Sequence, residues 1–201
     1  MNTENQYLLA LSFWTIAIQY LALVENASRE VVKQGNKWFV TRDGKHGEIT
    51  NEEYSKATRW SDHALIIPLL FNLYHGLELL IKGFLIIAPN QSAKPNHSII
   101  GMRDQFSKVY PSEKELIDLI SKYTQEQYLP DLLKNFLTDN NLTLKMMYQS
   151  VRYPANQDFQ TIKKYRKLKY KGEDGIQFFK ELAEDVDLIR RKAVQLSKTF
   201  K

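Results

Sequence analysis

The chain has 201 residues, 43% of them apolar and 25% charged, with 8 Gly, 6 Pro and no Cys. That is the make-up of one globular domain rather than of a disordered or collagen-like chain. The lack of cysteine excludes disulfide frameworks, thiolate zinc sites, iron–sulfur clusters and cysteine nucleophiles, and it fits the reducing cytoplasm, which is the expected location. The net charge of +5 is uneven: residues 141–201 hold 14 Lys/Arg against 7 Asp/Glu, and residues 1–140 hold 14 against 16.

Apolar residues at Tyr7, Leu11, Trp14, Ile18 and Leu21 recur four and three apart, which predicts a helix from about residue 4 to residue 34 that ends near Gly35. The following WFVTRDGKHGEI (38–49) has Asp43-Gly44 between short β-prone runs and reads as a small hairpin or ordered loop within a 36–50 segment. Thr50 and Glu53 make a T-x-x-E capping box that starts a second helix reaching Ile87. Unbroken, it would be about 57 Å long, against a radius of gyration of about 16 Å for a compact chain of this size. A kink or break is therefore expected, with Pro68 and the potential cap Ser61-Asp62 as its causes. The stripe Ile66, Leu70, Leu73, Leu77, Leu80, Phe84 and Ile87 makes this the central helix.

APNQSAKPNH (88–97) reads as a loop, followed by short helices at about 98–109, from Pro111 to Tyr123, at 125–137 and at 141–150, with TDNN (138–141) as a stop. RYPANQD (152–158) is non-helical, because Pro154 disfavours the α conformation at Tyr153. Gly172 and Gly175 bracket an acidic turn before a last helix striped by Ile176, Phe179, Leu182, Val186, Ile189, Ala193, Leu196 and Phe200. Three long helices and several short ones predict an all-α bundle forming a single domain over 1–201. Ala64 to Ala88 is long enough to span a bilayer, but Glu78 and Lys82 would be costly in its middle; a buried helix and no membrane are expected. The N-terminal MNTENQY lacks the basic region of a signal peptide.

The densest charge is KKYRKLKYK (163–171). Here Lys163, Lys164, Arg166, Lys167, Lys169 and Lys171 alternate with Tyr165, Leu168 and Tyr170. Cations that neutralise phosphate and rings that stack on bases are the two parts of a single-strand contact; a solvated basic loop has the same composition. On the central helix, Asn72, His75, Glu78 and Lys82 form a narrow polar strip. An i, i+4 ion pair beside a hydrogen-bonded histidine explains it structurally, and a pocket for an anion or a nucleotide explains it functionally. The histidines His46, His63, His75 and His97 lack metal-ligand spacing, so no metal and no cofactor is expected. Walker, dinucleotide-binding and serine-hydrolase motifs are absent.

NLYHGLELLIKGFLI (72–86), the loop ending in NHSIIGMRDQF (96–106), and RYP (152–154) before the last helix resemble the HEPN superfamily over roughly residues 60–200. The resemblance implies an up-and-down α-helical bundle, commonly a homodimer, in bacterial defence, toxin–antitoxin or other RNA-targeting systems. Several such proteins are metal-independent ribonucleases that carry an Arg-x4–6-His motif. Here Arg42 with His46 and Arg59 with His63 are each one residue too close, and Arg152 has no histidine after it, only Asn156 nearby. A guanidinium able to hold phosphate survives without an imidazole to move a proton. The expectation is thus a non-catalytic protein that binds RNA, a nucleotide or a protein partner through Arg152, with Tyr153 beside it, and through the 163–171 tract. The first alternative is a ribonuclease in which Arg152 acts with His75 or His97; the second is a structural or adaptor bundle.

Overall fold

The computed structural model describes residues 3–39, 49–88, 98–155 and 162–200. Among them the regular structure is helical: α1 (Thr3–Gln34), α2 (Asn51–Thr58), α3 (Asp62–Ile87), α4 (Ile99–Val109), α5 (Lys114–Thr124), α6 (Asp131–Asp139), α7 (Leu144–Ser150) and α8 (Gly172–Ser197). The protein is an all-α helical bundle. Most of the anticipated hairpin, most of the 88–97 loop, His46 and His97 lie outside the described residues.

Helix α1 ends as its sequence dictates, with Gly35 (φ 72°) and Asn36 (φ 49°) in the left-handed region and the Asn36 N–H returning to the Val31 carbonyl at 3.0 Å. The capping box at Thr50 is present: the Glu53 N–H donates to the Thr50 hydroxyl and the Thr50 N–H to the Glu53 carboxylate. The long second helix is broken, but at 59–61 and not at Pro68, which lies within α3. Ser61 sits extended (φ −140°, ψ 162°) and makes no side-chain cap; its hydroxyl donates back to the Thr58 carbonyl at 2.7 Å.

Three boundaries depart from the sequence reading. The helix expected from Pro111 begins at Lys114, with Pro111 in the preceding turn. The helix expected over 125–137 is divided at Leu129-Pro130, because proline drives the residue before it to extended geometry (Leu129 ψ 142°). The acidic turn at 172–175 is the first turn of α8, where Glu173 and Asp174 sit at the positive end of the helix dipole.

The core is built by α1, α3 and α8, with α4 and α5 packed beside α3 and α8. Two glycines of α3 let α1 approach: a Cβ at Gly83 would stand 2.5 Å from the Trp14 ring, and one at Gly76 would stand 3.0 Å from Leu21. Trp14, Phe84, Phe106, Tyr110 and Phe200 make a continuous aromatic cluster. Polar ties close the far side: Glu25 of α1 pairs with Arg190 of α8, and the buried Tyr123 hydroxyl donates to Asp185 at 2.7 Å. Among the described residues two helices, α1 and α3, are long and apolar enough to cross a membrane; over half of the apolar window of α3 is buried within the bundle, as in a core helix.

Candidate nucleic-acid interface

The basic tract is held against the bundle by backbone hydrogen bonds and by the side chains of Tyr165 and Leu168, and only part of its charge faces solvent. An isolated bridge between Ala155 and Ile162 brings the chain back, and the Lys164 N–H donates to Asn140 at 2.7 Å. Tyr165 stacks on Phe136 (6.0 Å, 17°), and its hydroxyl donates to the Tyr153 carbonyl at 2.9 Å and contacts that of Ser150. Leu168 is wholly buried and anchors the middle. Tyr170 adopts φ 63°, a costly region for a residue with a Cβ.

What holds Tyr170 there is Asp62, the buried first residue of α3. Its carboxylate accepts from the N–H groups of Tyr170 (2.8 Å) and Lys171 (2.7 Å) and from the Asn36 amide (3.1 Å). Asn36 in turn accepts from the Asp62 N–H at 2.7 Å and donates to the Gly172 carbonyl at 3.1 Å. The end of α1 and the starts of α3 and α8 thus meet on one buried carboxyl group that accepts three hydrogen bonds.

The six cations of the tract are not equivalent. Lys163 is only 8% exposed, so it does not belong to the surface expected of it. Lys167 pairs with Asp139 at 3.0 Å. Lys164 and Arg166 are exposed, Lys169 and Lys171 half-buried, and none of these four is paired with a carboxylate among the described residues.

Beside them lies a cavity of about 520 Å³ lined by Trp38, Phe39, Tyr54, Tyr165, Arg166, Lys169 and Tyr170. Four of these belong to the basic tract; Trp38, Phe39 and Tyr54 were missed by sequence reasoning. The Tyr54 hydroxyl donates to the Trp38 carbonyl at 2.8 Å, which ties the chain after α1 to α2. Trp38 meets Tyr170 edge to face (5.1 Å, 75°), and Tyr170 stacks on His63 (4.9 Å, 24°). The exposed pair Trp38-Phe39 was the only sequence signal, and it reads equally as a strand core.

The polar strip of α3 forms a second cluster. Glu78 pairs with Lys82 at 2.5 Å. His75 Nδ1 and the Tyr148 hydroxyl of α7 are hydrogen-bonded at 3.0 Å, and the imidazole packs against Phe71 and Tyr20. Burial lowers the His75 pKa, as do the charges of Lys82 and Arg152, against the opposing pull of Glu78. Burial, then Glu78, raises that of the Tyr148 hydroxyl. The exposed Arg152 guanidinium lies over the rings of Tyr148 and Tyr153, 5.4 Å from each.

The fold therefore sets His75 and Arg152 on one tyrosine, a proximity that their separation in sequence conceals. Asn72 does not join them, since its amide donates back to the Pro68 carbonyl at 2.8 Å. The cluster offers a neutral imidazole whose Nδ1 is already engaged, beside a guanidinium that no carboxylate among the described residues neutralises. No family model, curated protein or solved structure matches the chain.

Proposed function

We propose that this chain is a HEPN-like RNA-binding protein that holds a single strand without cutting it, as a cytoplasmic homodimer in a bacterial defence or toxin–antitoxin-type system. The observation that carries the reading is the cation set Lys164, Arg166, Lys169 and Lys171, free of carboxylate partners among the described residues and interleaved with fixed tyrosines. Such cations exchange counterions for phosphates, and such rings stack on bases whatever their sequence. Leu8, Leu9, Leu11, Ile16 and Leu23, exposed along α1, support self-association, which light scattering after size exclusion would measure.

Binding is tested by fluorescence anisotropy with an end-labelled, unstructured RNA 20-mer. The wild type binds, and the triple variant Lys164→Ala, Arg166→Ala, Lys169→Ala binds at least tenfold more weakly; equal affinities would remove the reading.

The pairing of His75 and Arg152 around Tyr148 favours one second reading, a metal-independent ribonuclease in which Arg152 stabilises charge on the phosphorus and His75 transfers the proton. Incubation with RNA in EDTA separates the two. Cleavage lost in both Arg152→Ala and His75→Gln makes the protein an enzyme; intact RNA leaves it a binder.

A further inference from the structure

We propose that the cavity formed by Trp38, Phe39, Tyr54, Tyr165 and Tyr170 is a stacking site for one unpaired nucleobase, with Arg166 and Lys169 receiving the phosphate attached to it. The assignment rests on the RNA-binding reading and names the group that the surface recognises.

Its volume of about 520 Å³ falls in the range of about 300–1,000 Å³ usual for small-molecule sites. Among the described residues, five of the seven that line it are aromatic, two are cations and none is acidic. That composition selects among ligands. An aromatic box can hold a quaternary ammonium, but two cations in the wall repel one. An inorganic anion would use the cations and gain nothing from the rings. A flat, π-rich group carrying negative charge uses both parts, and a nucleotide unit is that group.

The walls are also prepared in advance. Tyr165 is fixed by Phe136 and by the Tyr153 carbonyl, Tyr170 by Asp62 and His63, and the Trp38 backbone by Tyr54. Sites whose side chains are already ordered lose little entropy on binding. Trp38 is 38% and Phe39 64% exposed, so both present ring surface to solvent that a stacked base would cover. The unit can be a residue of an RNA strand or a free nucleotide, and the experiment treats the two separately.

The test measures the intrinsic fluorescence of the full-length protein titrated with AMP, with adenosine and with an unstructured RNA 10-mer, alongside anisotropy of labelled RNA. AMP and RNA are expected to quench the emission, and Trp38→Phe to abolish that quenching. Adenosine is expected to bind more weakly than AMP, a preference lost in Arg166→Ala, Lys169→Ala. The exposed-ring variant Trp38→Ala, Phe39→Ala, checked by circular dichroism to be folded, is expected to bind RNA at least tenfold more weakly. Should AMP act and RNA not, the site takes free nucleotides and the RNA-binding reading fails alone. Should RNA bind through the lysines with no quenching and with full affinity in the ring variant, the base site is wrong and the RNA-binding reading stands. If neither ligand binds, both are wrong.

Discussion

Asp62 holds Tyr170, 108 residues further along the chain, by a hydrogen bond of 2.8 Å from the tyrosine N–H to a carboxylate with no solvent exposure. The same carboxylate takes the Lys171 N–H and the Asn36 amide, so Asp62→Ala leaves three donors without their acceptor. Hydrogen bonds to a buried charge contribute about 1.5–3 kcal/mol each, and partial rehydration of the opened site offsets part of that loss. The expected cost is about 3 kcal/mol, read as a lower urea midpoint at unchanged slope. RNA affinity should fall with it, because Tyr170 would lose the hydrogen bond to its left-handed backbone and keep only its ring contacts with His63 and Trp38.

Gly83 and Gly76 both face α1, yet they should respond differently to alanine. At Gly83 the new methyl would meet the Trp14 ring at 2.5 Å and the Ala10 carbonyl at 3.2 Å, in a cluster with no room to yield. Overpacking of that kind costs about 1–3 kcal/mol, which for a chain this long is a drop in melting temperature of several degrees. At Gly76 the new methyl would meet the Leu21 side chain at 3.0 Å and the Tyr20 Cβ at 3.3 Å, a milder crowding that shifts of a few tenths of an ångström relieve, and alanine is the better helix former by about 1 kcal/mol. Gly76→Ala should melt near the wild-type temperature and Gly83→Ala well below it.

The Glu78–Lys82 pair is part-buried, with side-chain exposures of 8% and 21%. Removing the carboxylate takes a close ion-pair partner from a part-buried ammonium, so Glu78→Ala should cost about 2 kcal/mol. The double variant Glu78→Ala, Lys82→Ala should cost less than the two single changes together, as a double-mutant cycle would show. RNA affinity should be unchanged in either, since the pair belongs to the α3 strip and does not line the cavity. A folded Glu78→Ala protein that no longer bound RNA would move the ligand site to that strip.

His75 gives the bundle a pH dependence of predictable sign. Its pKa in the folded protein lies below the ordinary 6.5, because burial and the nearby Lys82 and Arg152 disfavour the imidazolium more than Glu78 favours it. On lowering the pH, the unfolded chain takes up this proton first, so stability from this group is complete above about pH 6.5 and falls as the pH drops below it. Urea midpoints between pH 7.5 and 5.5 should therefore decline more steeply for the wild type than for His75→Gln. Parallel curves would show that the imidazole titrates alike in both states.

The long helices were legible because their cores repeat every three or four residues: Trp14 and Leu21 on α1, Leu73 and Leu77 on α3, and Phe179 and Val186 on α8 are all buried, although Leu11 of the expected α1 stripe is 42% exposed and the small Ala10 and Ala17 lie in the core instead. The Thr50 cap was legible because both of its partners lie within four residues. What stayed hidden depends on tertiary placement. Ser61-Asp62 was read as a local cap, yet Asp62 acts on the start of α8, and no local pattern records a partner over a hundred residues away. Lys163 looked like surface charge because composition does not report burial. The cavity draws its rings from three separate stretches, so only the four residues inside the basic tract could be named in advance. His75 and Arg152 were both candidates, but their meeting at Tyr148 depends on how α7 packs on α3.

The most direct test of RNA binding by these cations is the salt dependence of the affinity. With Lys164, Arg166, Lys169 and Lys171 each neutralising one phosphate of a single strand, a plot of log K against log salt concentration should have a slope of about −2.8, at about −0.7 per contact. The variant Arg166→Ala, Lys169→Ala should flatten it by about 1.4. A slope near zero for the wild type, or one unchanged by removing these two cations, would contradict the account.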